Sequence, residues 1–176
     1  RLYESDGRNK SQYTRYNARV DIKPLNGLTL SMNTAFGKYN ESRGYSETKQ
    51  HVSTIKDGRN GYASAGSTES IDRFLELTAD YTRSFGDHRF SVVTGYGYQE
   101  NERFESWLQN WDFPTDAFGY SYIHLGKALQ EGKAVMGGSR SESNLISFFG
   151  RATYSFQDKY LLLASDRPGG LGGFDI

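Results

Sequence analysis

Apolar and polar residues alternate with period two in six stretches of this chain, and the alternation is the first thing the sequence states. In 144–156, Ile146, Phe148, Gly150, Ala152, Tyr154 and Phe156 share one parity, and Ser147, Phe149, Arg151, Thr153 and Ser155 share the other. Neighbouring residues of a strand face opposite sides, so one face is apolar and aromatic and the other mostly polar. After Gln157-Asp158 the apolar face resumes at Tyr160, Leu162 and Ala164. Thr14, Tyr16, Ala18, Val20 and Ile22 form a similar face, opposed by Tyr13, Arg15, Asn17, Arg19 and Asp21. Leu28, Leu30, Met32, Thr34 and Phe36 form the next, and Leu75, Leu77, Ala79 and Tyr81 another. Phe90, Val92, Thr94, Tyr96 and Tyr98 complete the set. Arg83 falls on an apolar parity, but near a strand end, where a long side chain can snorkel.

The connections alternate as strictly as the residues. Three are short, near 23–27, 86–88 and 157–158; two are long, 38–70 and 100–143. Pro24 cannot donate to a ladder, and Asn26-Gly27 is a strong turn dipeptide. Compact soluble domains rarely insert structureless loops that long. Transmembrane barrels do, with short periplasmic turns and long outside loops. Aromatic residues flank the short turns, with Phe85 and Phe90 about one, and Phe156 and Tyr160 about another. Such residues form a girdle at a membrane interface; aromatic packing in a soluble sheet is the competing explanation. The expected fold is all-β: an antiparallel up-and-down transmembrane β-barrel segment, about six strands in three hairpins, too few to close a barrel. Ala152 is expected to meet lipid and Thr153 the lumen.

Composition narrows this picture. The chain has 176 residues with 21 basic and 21 acidic side chains, so bulk charge calls for no nucleic-acid partner. It has no cysteine, which removes disulfides, thiolate metal sites and cysteine nucleophiles. Mean hydropathy is −0.72, and no apolar run approaches the roughly 20 residues of a transmembrane helix. Neither fact excludes a barrel, whose strands meet lipid at every second residue only. The 13 Tyr, 11 Phe and 20 Gly against 3 Pro suit β structure. Arg1 is neither an initiating Met nor the start of a signal peptide. An internal piece of a longer protein is expected.

Candidate chemistry is sparse. His51, His88 and His124 have no metal-binding spacing. Gly61 and Gly66 have phosphate-loop spacing but lack the following Lys. Gly95 and Gly97 lie in a strand and mark close approach of another segment. Glu76 and Asp80 would lie roughly 13 Å apart along a strand, too far for a catalytic pair. No serine sits in a Gly-x-Ser-x-Gly elbow. No catalytic residue, metal or cofactor is expected, and the chain is not read as an enzyme. The aromatic-rich stretch 100–143 is the expected place of substrate contact. Its candidates are Trp107, Trp111, Phe113, Tyr120 and Tyr122, set among Glu105, Asn110, Asp112 and Asp116. Flat rings beside hydrogen-bonding groups suit sugar or peptide capture. Packing of the loop on itself or on a partner is the plainer role for the same rings.

The stretch Ser147-Phe-Phe-Gly-Arg-Ala-Thr-Tyr-Ser-Phe-Gln-Asp-Lys-Tyr-Leu-Leu-Leu-Ala-Ser165 resembles a phrase of SusC-like TonB-dependent outer-membrane transporters. Their pattern runs close to S-Y-F-G-R-x-N-Y-x-Y-x-D-K-Y-L-L-x-A-S-x-R-x-D-G-S-S. A looser echo lies in 17–30. The resemblance implies a large barrel with a plug in its lumen, in the outer membrane of a Gram-negative, Bacteroidetes-type cell. It implies a SusD-like surface lipoprotein as partner, energy from the TonB complex, contact with outer-membrane lipid, and import of glycans or peptides. On this reading 1–167 is barrel, 168–176 is a divergent Gly-rich tail, and no plug or TonB box is recognisable. The alternatives are a smaller outer-membrane barrel or surface adhesin without active transport, and a soluble β-sandwich.

Overall fold

The computed structural model describes residues 4–157, 160–166 and 169–175, the last two stretches by backbone alone. Its strands are β1 (Ser5–Leu25), β2 (Leu28–Glu47), β3 (Tyr62–Phe85), β4 (His88–Trp111), β5 (Val135–Phe156), β6 (Tyr160–Asp166) and β7 (Gly169–Asp175). They form one antiparallel sheet in the order β1-β2-β3-β4-β5-β6, with β7 also on β5. β6 pairs Phe156 with Tyr160 through Gly150 with Asp166; β7 continues from Ser147 with Gly169 to Ser141 with Asp175. The offset is the same on both, so β6 and β7 occupy one lane beside β5. The tail is thus in the ladder from Gly169 onward. Six lanes in three hairpins result, and the sheet is open among the described residues. Asp158 of the third turn lies outside the described residues, as do the side chains of Tyr160, Leu162 and Ala164.

The strands run much further than the alternation of apolar residues predicts. Residues 38–47, 62–70, 100–111 and 135–143, expected in loops, are strand, and so is most of the polar start of the chain from Ser5. The irregular connections shrink to 48–61 and 112–134. The physical reason is that a strand wet on both faces has no apolar period to reveal it. Only about 9–11 residues of a tilted strand fit in hydrocarbon, so a 24-residue strand such as β4 has to extend into water.

By contact the chain divides into two units. One holds 4–13, Tyr39–Ser70 and Arg103–Arg140; the other holds Thr14–Lys38, Ile71–Glu102 and the chain from Ser141. In the second unit, the apolar parities converge on one face. Val20, Ile22, Leu30, Met32, Leu77, Tyr96 and Phe148 line one shallow apolar surface. Its large side chains are open: Val20 is 50% exposed, Leu77 42% and Phe148 57%. A soluble domain rarely leaves such a contiguous patch uncovered; a membrane wall requires it.

Both ends of this apolar face are marked. Beside the short turns, Phe90 packs on Tyr154 with ring centroids 4.7 Å apart, and His88 packs on Phe156 at 4.8 Å. The Arg83 guanidinium lies 4.7 Å over the Phe85 ring, with its head 3.4 Å from the Tyr81 hydroxyl. At the other end, Arg73 bonds Glu100 at 2.8 Å and Glu102 at 2.6 Å. Between these limits β4 offers Phe90 to Tyr98, nine residues, matching the length that hydrocarbon demands.

The opposite face is polar and closely built. A Cβ on Gly97 would lie 2.6 Å from the Ser147 hydroxyl, and one on Gly95 would enter the Phe149 ring. We expect Gly95→Leu to destabilise the complete barrel by about 1–3 kcal/mol through overpacking. Denaturant unfolding should show the loss, and Phe149→Ala in the same chain should recover most of it.

The turns are tied to their neighbours. Gly27 and Gly86 take φ of 87° and 54°, which side chains rarely tolerate. Thr82 donates its amide to Gly27 at 2.8 Å, and Gln157 donates its amide to Asp87 at 2.8 Å. Cross-strand contacts keep one spacing from the turn at 86–87 outward. Thr82 meets Ser91, Asp72 meets Asn101, and Ser67 meets Ser106. No residue is inserted between β3 and β4 across those positions.

Candidate substrate-facing site

The first unit carries the two irregular connections. The 48–61 connection holds α1 (Val52–Lys56), capped by His51, whose Nδ1 accepts from the Ser53 amide. Thr54 is buried there, its hydroxyl within 2.7 Å of the Thr48 carbonyl and 2.8 Å of the His51 carbonyl. The 112–134 connection holds a 3₁₀ turn (Gly119–Leu125) and α2 (Lys127–Gln130).

Asn110 organises the second connection. It is fully buried, and its side chain makes four hydrogen bonds. Its Nδ2 donates to the carbonyls of Ile123 and Gly126 at 2.7 and 3.0 Å. Its Oδ1 accepts from the amides of Trp111 and Leu129, both at 3.0 Å. Two turns of a loop that share no repeating ladder are thereby held on one amide group.

The two connections are also fastened to each other. Asp112, at a φ of 63°, accepts the Asn60 amide at 2.8 Å, and the Phe113 amide donates to the Asn60 carbonyl at 2.7 Å. The Lys49 amide donates to Asp116 at 3.1 Å. On the 112–134 connection, bonds from Lys133 and Lys127 hold the Glu131 carboxyl below its ordinary range. Burial, then a bond to Glu47, raises the Tyr45 phenol.

The five aromatic residues singled out by sequence fall in different places. Trp107 stands on β4 and is 44% exposed. Trp111 ends β4 with the Arg59 guanidinium 4.7 Å over its ring, a cation–π contact. Phe113 is only 8% exposed, so its ring packs the loop. Tyr120 lies against Gly44 and is half-buried. Tyr122 is 48% exposed and pairs with Phe118 at 4.9 Å. Phe113 and Tyr120 line one cleft, and Trp107 lines another.

Two of the clefts on this unit are lined with polar groups. One, of about 240 Å³, is lined by Glu4, Asp6, Glu47 and Asp116 with Tyr62 and Tyr120. Three of its carboxylates are already engaged: Glu4 by the Thr48 hydroxyl, Glu47 by the Tyr45 hydroxyl, Asp116 by the Lys49 amide. The other, of about 310 Å³, lies beside Trp107 and is lined by Arg43, Ser64, Thr68, Glu105 and Gln109. Arg43 and Arg59 went unmarked in the sequence. Charged partners two residues apart, Glu41 with Arg43 and Arg103 with Glu105, were the available signal, because such pairs share a strand face. Among the described residues no group of three or more His, Cys, Asp or Glu is placed to hold a metal ion.

No protein-family model matches the sequence. The chain is similar to TonB-dependent receptor P3 of Formosa agariphila, 25% identical over 171 residues, covering 97% of this chain and 16% of the receptor. It shares its fold with the RagAB peptide transporter at a TM-score of 0.85 and 18% identity. The open-open state of the RagAB peptide importer superposes with a TM-score of 0.82 at 20% identity. Each of these matches covers 97% of this chain and 18% of the solved one. The chain therefore spans less than a fifth of the proteins it resembles. The sequence match and the shared fold make this chain similar to one segment of a TonB-dependent transporter barrel, as the pattern at 147–165 implied.

Proposed function

We propose that this chain is part of the wall and outer rim of a SusC-like importer in the outer membrane, which takes up oligosaccharides or peptides. The observation that carries the reading is the open apolar face of the second unit. It is bounded by aromatic rings at one end and by the Arg73 ion pairs at the other. That face is a wall against lipid, and the polar face behind it is the side left for solute. A SusD-like lipoprotein covers the outer opening and contributes to capture. The TonB complex acts on parts of the protein outside this chain. The segment performs no bond chemistry: its work is to hold a wall and present side chains.

The test is uptake in cells whose copy of the complete gene is deleted and then restored. Labelled neutral oligosaccharides and labelled peptides are supplied with and without collapse of the proton gradient. Accumulation that needs both the gene and the gradient is expected, together with co-purification of a surface lipoprotein. A well-inserted protein with no gradient-dependent uptake would overturn import and leave a passive barrel or adhesin.

A further inference from the structure

The ring of Trp107 has an unusual setting. It lies on β4 at the parity of Gly95 and Gly97, the parity of the polar face. Its neighbours on the flanking strands at that parity are Gly66 and Gly137. A Cβ added to Gly137 would come within 2.7 Å of Trp107 Cζ2, so the indole rests directly on the β5 backbone. A Cβ on Gly66 would be 3.6 Å from the Trp107 Cβ. No side chain at either glycine screens the ring, and it remains 44% exposed. The result is a flat ring laid along the sheet with one surface open.

The cleft beside it is polar. Ser64, Thr68 and Gln109 offer hydroxyl and amide groups, with Arg43 and Glu105 as charged members. Both charges already have partners: Arg43 bonds Glu41 at 3.0 Å, and Glu105 takes Arg103. A free amine or carboxylate, as at a peptide terminus, finds no unpaired opposite charge on these side chains. A neutral ring with an apolar face and hydroxyl edges fits better. Its C–H face covers the indole, while its hydroxyl groups meet donors and acceptors around it. Apolar contact with a few placed polar groups is how small-molecule sites obtain both affinity and orientation.

We propose that Trp107, bared by Gly66 and Gly137, is a stacking platform for a sugar ring of a neutral oligosaccharide. The assignment rests on the importer reading and narrows its substrate class. It makes Trp107 a contact residue and Gly137 a positioning residue.

The experiment uses the complete protein, purified in detergent with its lipoprotein partner. The probes are neutral gluco-, manno-, xylo- and fructo-hexasaccharides, and a mixed hexapeptide pool as comparison, measured by calorimetry. At least one hexasaccharide is expected to bind. Trp107→Ala should weaken it tenfold or more, and Trp107→Phe should stay within about threefold of the parent. Gly137→Val, which displaces the ring without removing it, should also weaken binding tenfold or more. Thermal unfolding of each variant identifies any that misfold, and Trp107→Gln, which keeps bulk without an aromatic face, then takes the place of Trp107→Ala with the same tenfold loss expected. Failure of every hexasaccharide to bind at millimolar concentration overturns the proposal. So does sugar binding that Trp107→Ala leaves unchanged, or binding of the peptide pool alone. In the last case gradient-dependent peptide uptake would still stand, so the platform can fall while the importer survives.

Discussion

Gly150→Arg in the complete barrel should cost about 2–4 kcal/mol of folding stability, the range for a cation placed on the lipid face at the bilayer midplane. Gly150 lies on the apolar parity of β5, between Phe148 and Ala152, and a Cβ there meets nothing within 4 Å. No described side chain would stand over the new one. Ala152 shares the face but sits two residues nearer the ring of Tyr154 that marks the interface. Ala152→Arg should therefore cost less than Gly150→Arg, because the head group can reach the interface. Thr153 points the other way, its hydroxyl 3.4 Å from the Ser91 carbonyl. Thr153→Arg should cost under about 1 kcal/mol, as for most substitutions on a wet surface. The measurement is the denaturant-dependent folding of the three variants into lipid vesicles. The expected order is Gly150, Ala152, Thr153, from most to least costly. Equal losses at 152 and 153 would overturn the facing assigned to β5, and a larger loss at 153 would reverse it.

The second large effect belongs to Asn110. Its amide is buried and spends all its hydrogen-bonding capacity on four backbone groups. Asn110→Leu, close in volume, would remove all four bonds, leaving the Ile123 and Gly126 carbonyls only the longer bonds from the amides of Gly126 and Leu129, at 3.4 and 3.3 Å. A hydrogen bond contributes about 0.5–1.5 kcal/mol net, so the 112–134 connection should lose about 2 kcal/mol or more of local stability. Asn110→Asp is expected to be as harmful by another route. It turns an acceptor toward the carbonyls of Ile123 and Gly126, where a donor is needed. Hydrogen exchange on the complete protein reads this directly. Amides of 112–134 should exchange at least tenfold faster in either variant, while the hairpin of β3 and β4 around the turn at 86–87 keeps its protection. Unchanged exchange in 112–134 would mean that the loop is held by something other than Asn110.

The sequence was legible wherever one face of a strand is apolar. The stretches 14–22, 28–36, 75–81, 90–98 and 146–156 announce themselves because lipid imposes a period of two. The continuation of those strands was not legible. In 38–47 the residues are Lys, Tyr, Asn, Glu, Ser, Arg, Gly, Tyr, Ser and Glu, and both faces are polar. What remained was a fainter sign: ion pairs and hydrogen bonds between residues two apart, as in Glu41 with Arg43, Tyr45 with Glu47 and Arg103 with Glu105. The aromatic content of 104–122 pointed to a surface of interest, but exposure depends on what lies across the strand. Trp107 is open because Gly137 faces it, thirty positions further on. Phe113 is covered because the two irregular connections fold together over it. Neither pairing leaves a local trace. The role of Asn110 is likewise invisible, since its partners at 123, 126 and 129 are backbone groups, which leave no mark in the residue types.

The unbroken spacing between β3 and β4 bears on how such a wall can change over generations. With no inserted residue between the turn at 86–87 and Ser67 with Ser106, one added or lost codon inside either strand would turn every later side chain over. Val92, Tyr96 and their neighbours would enter the lumen, and charged residues would enter lipid. The connections 48–61 and 112–134 have no parity to keep, so they can lengthen or shorten wherever the bonds of Asn110 and of Asn60 with Asp112 are kept. Lineages carrying this wall should therefore hold strand length constant to the residue while their outer connections drift freely, so that new cargo is met by rewriting the rim and not the staves.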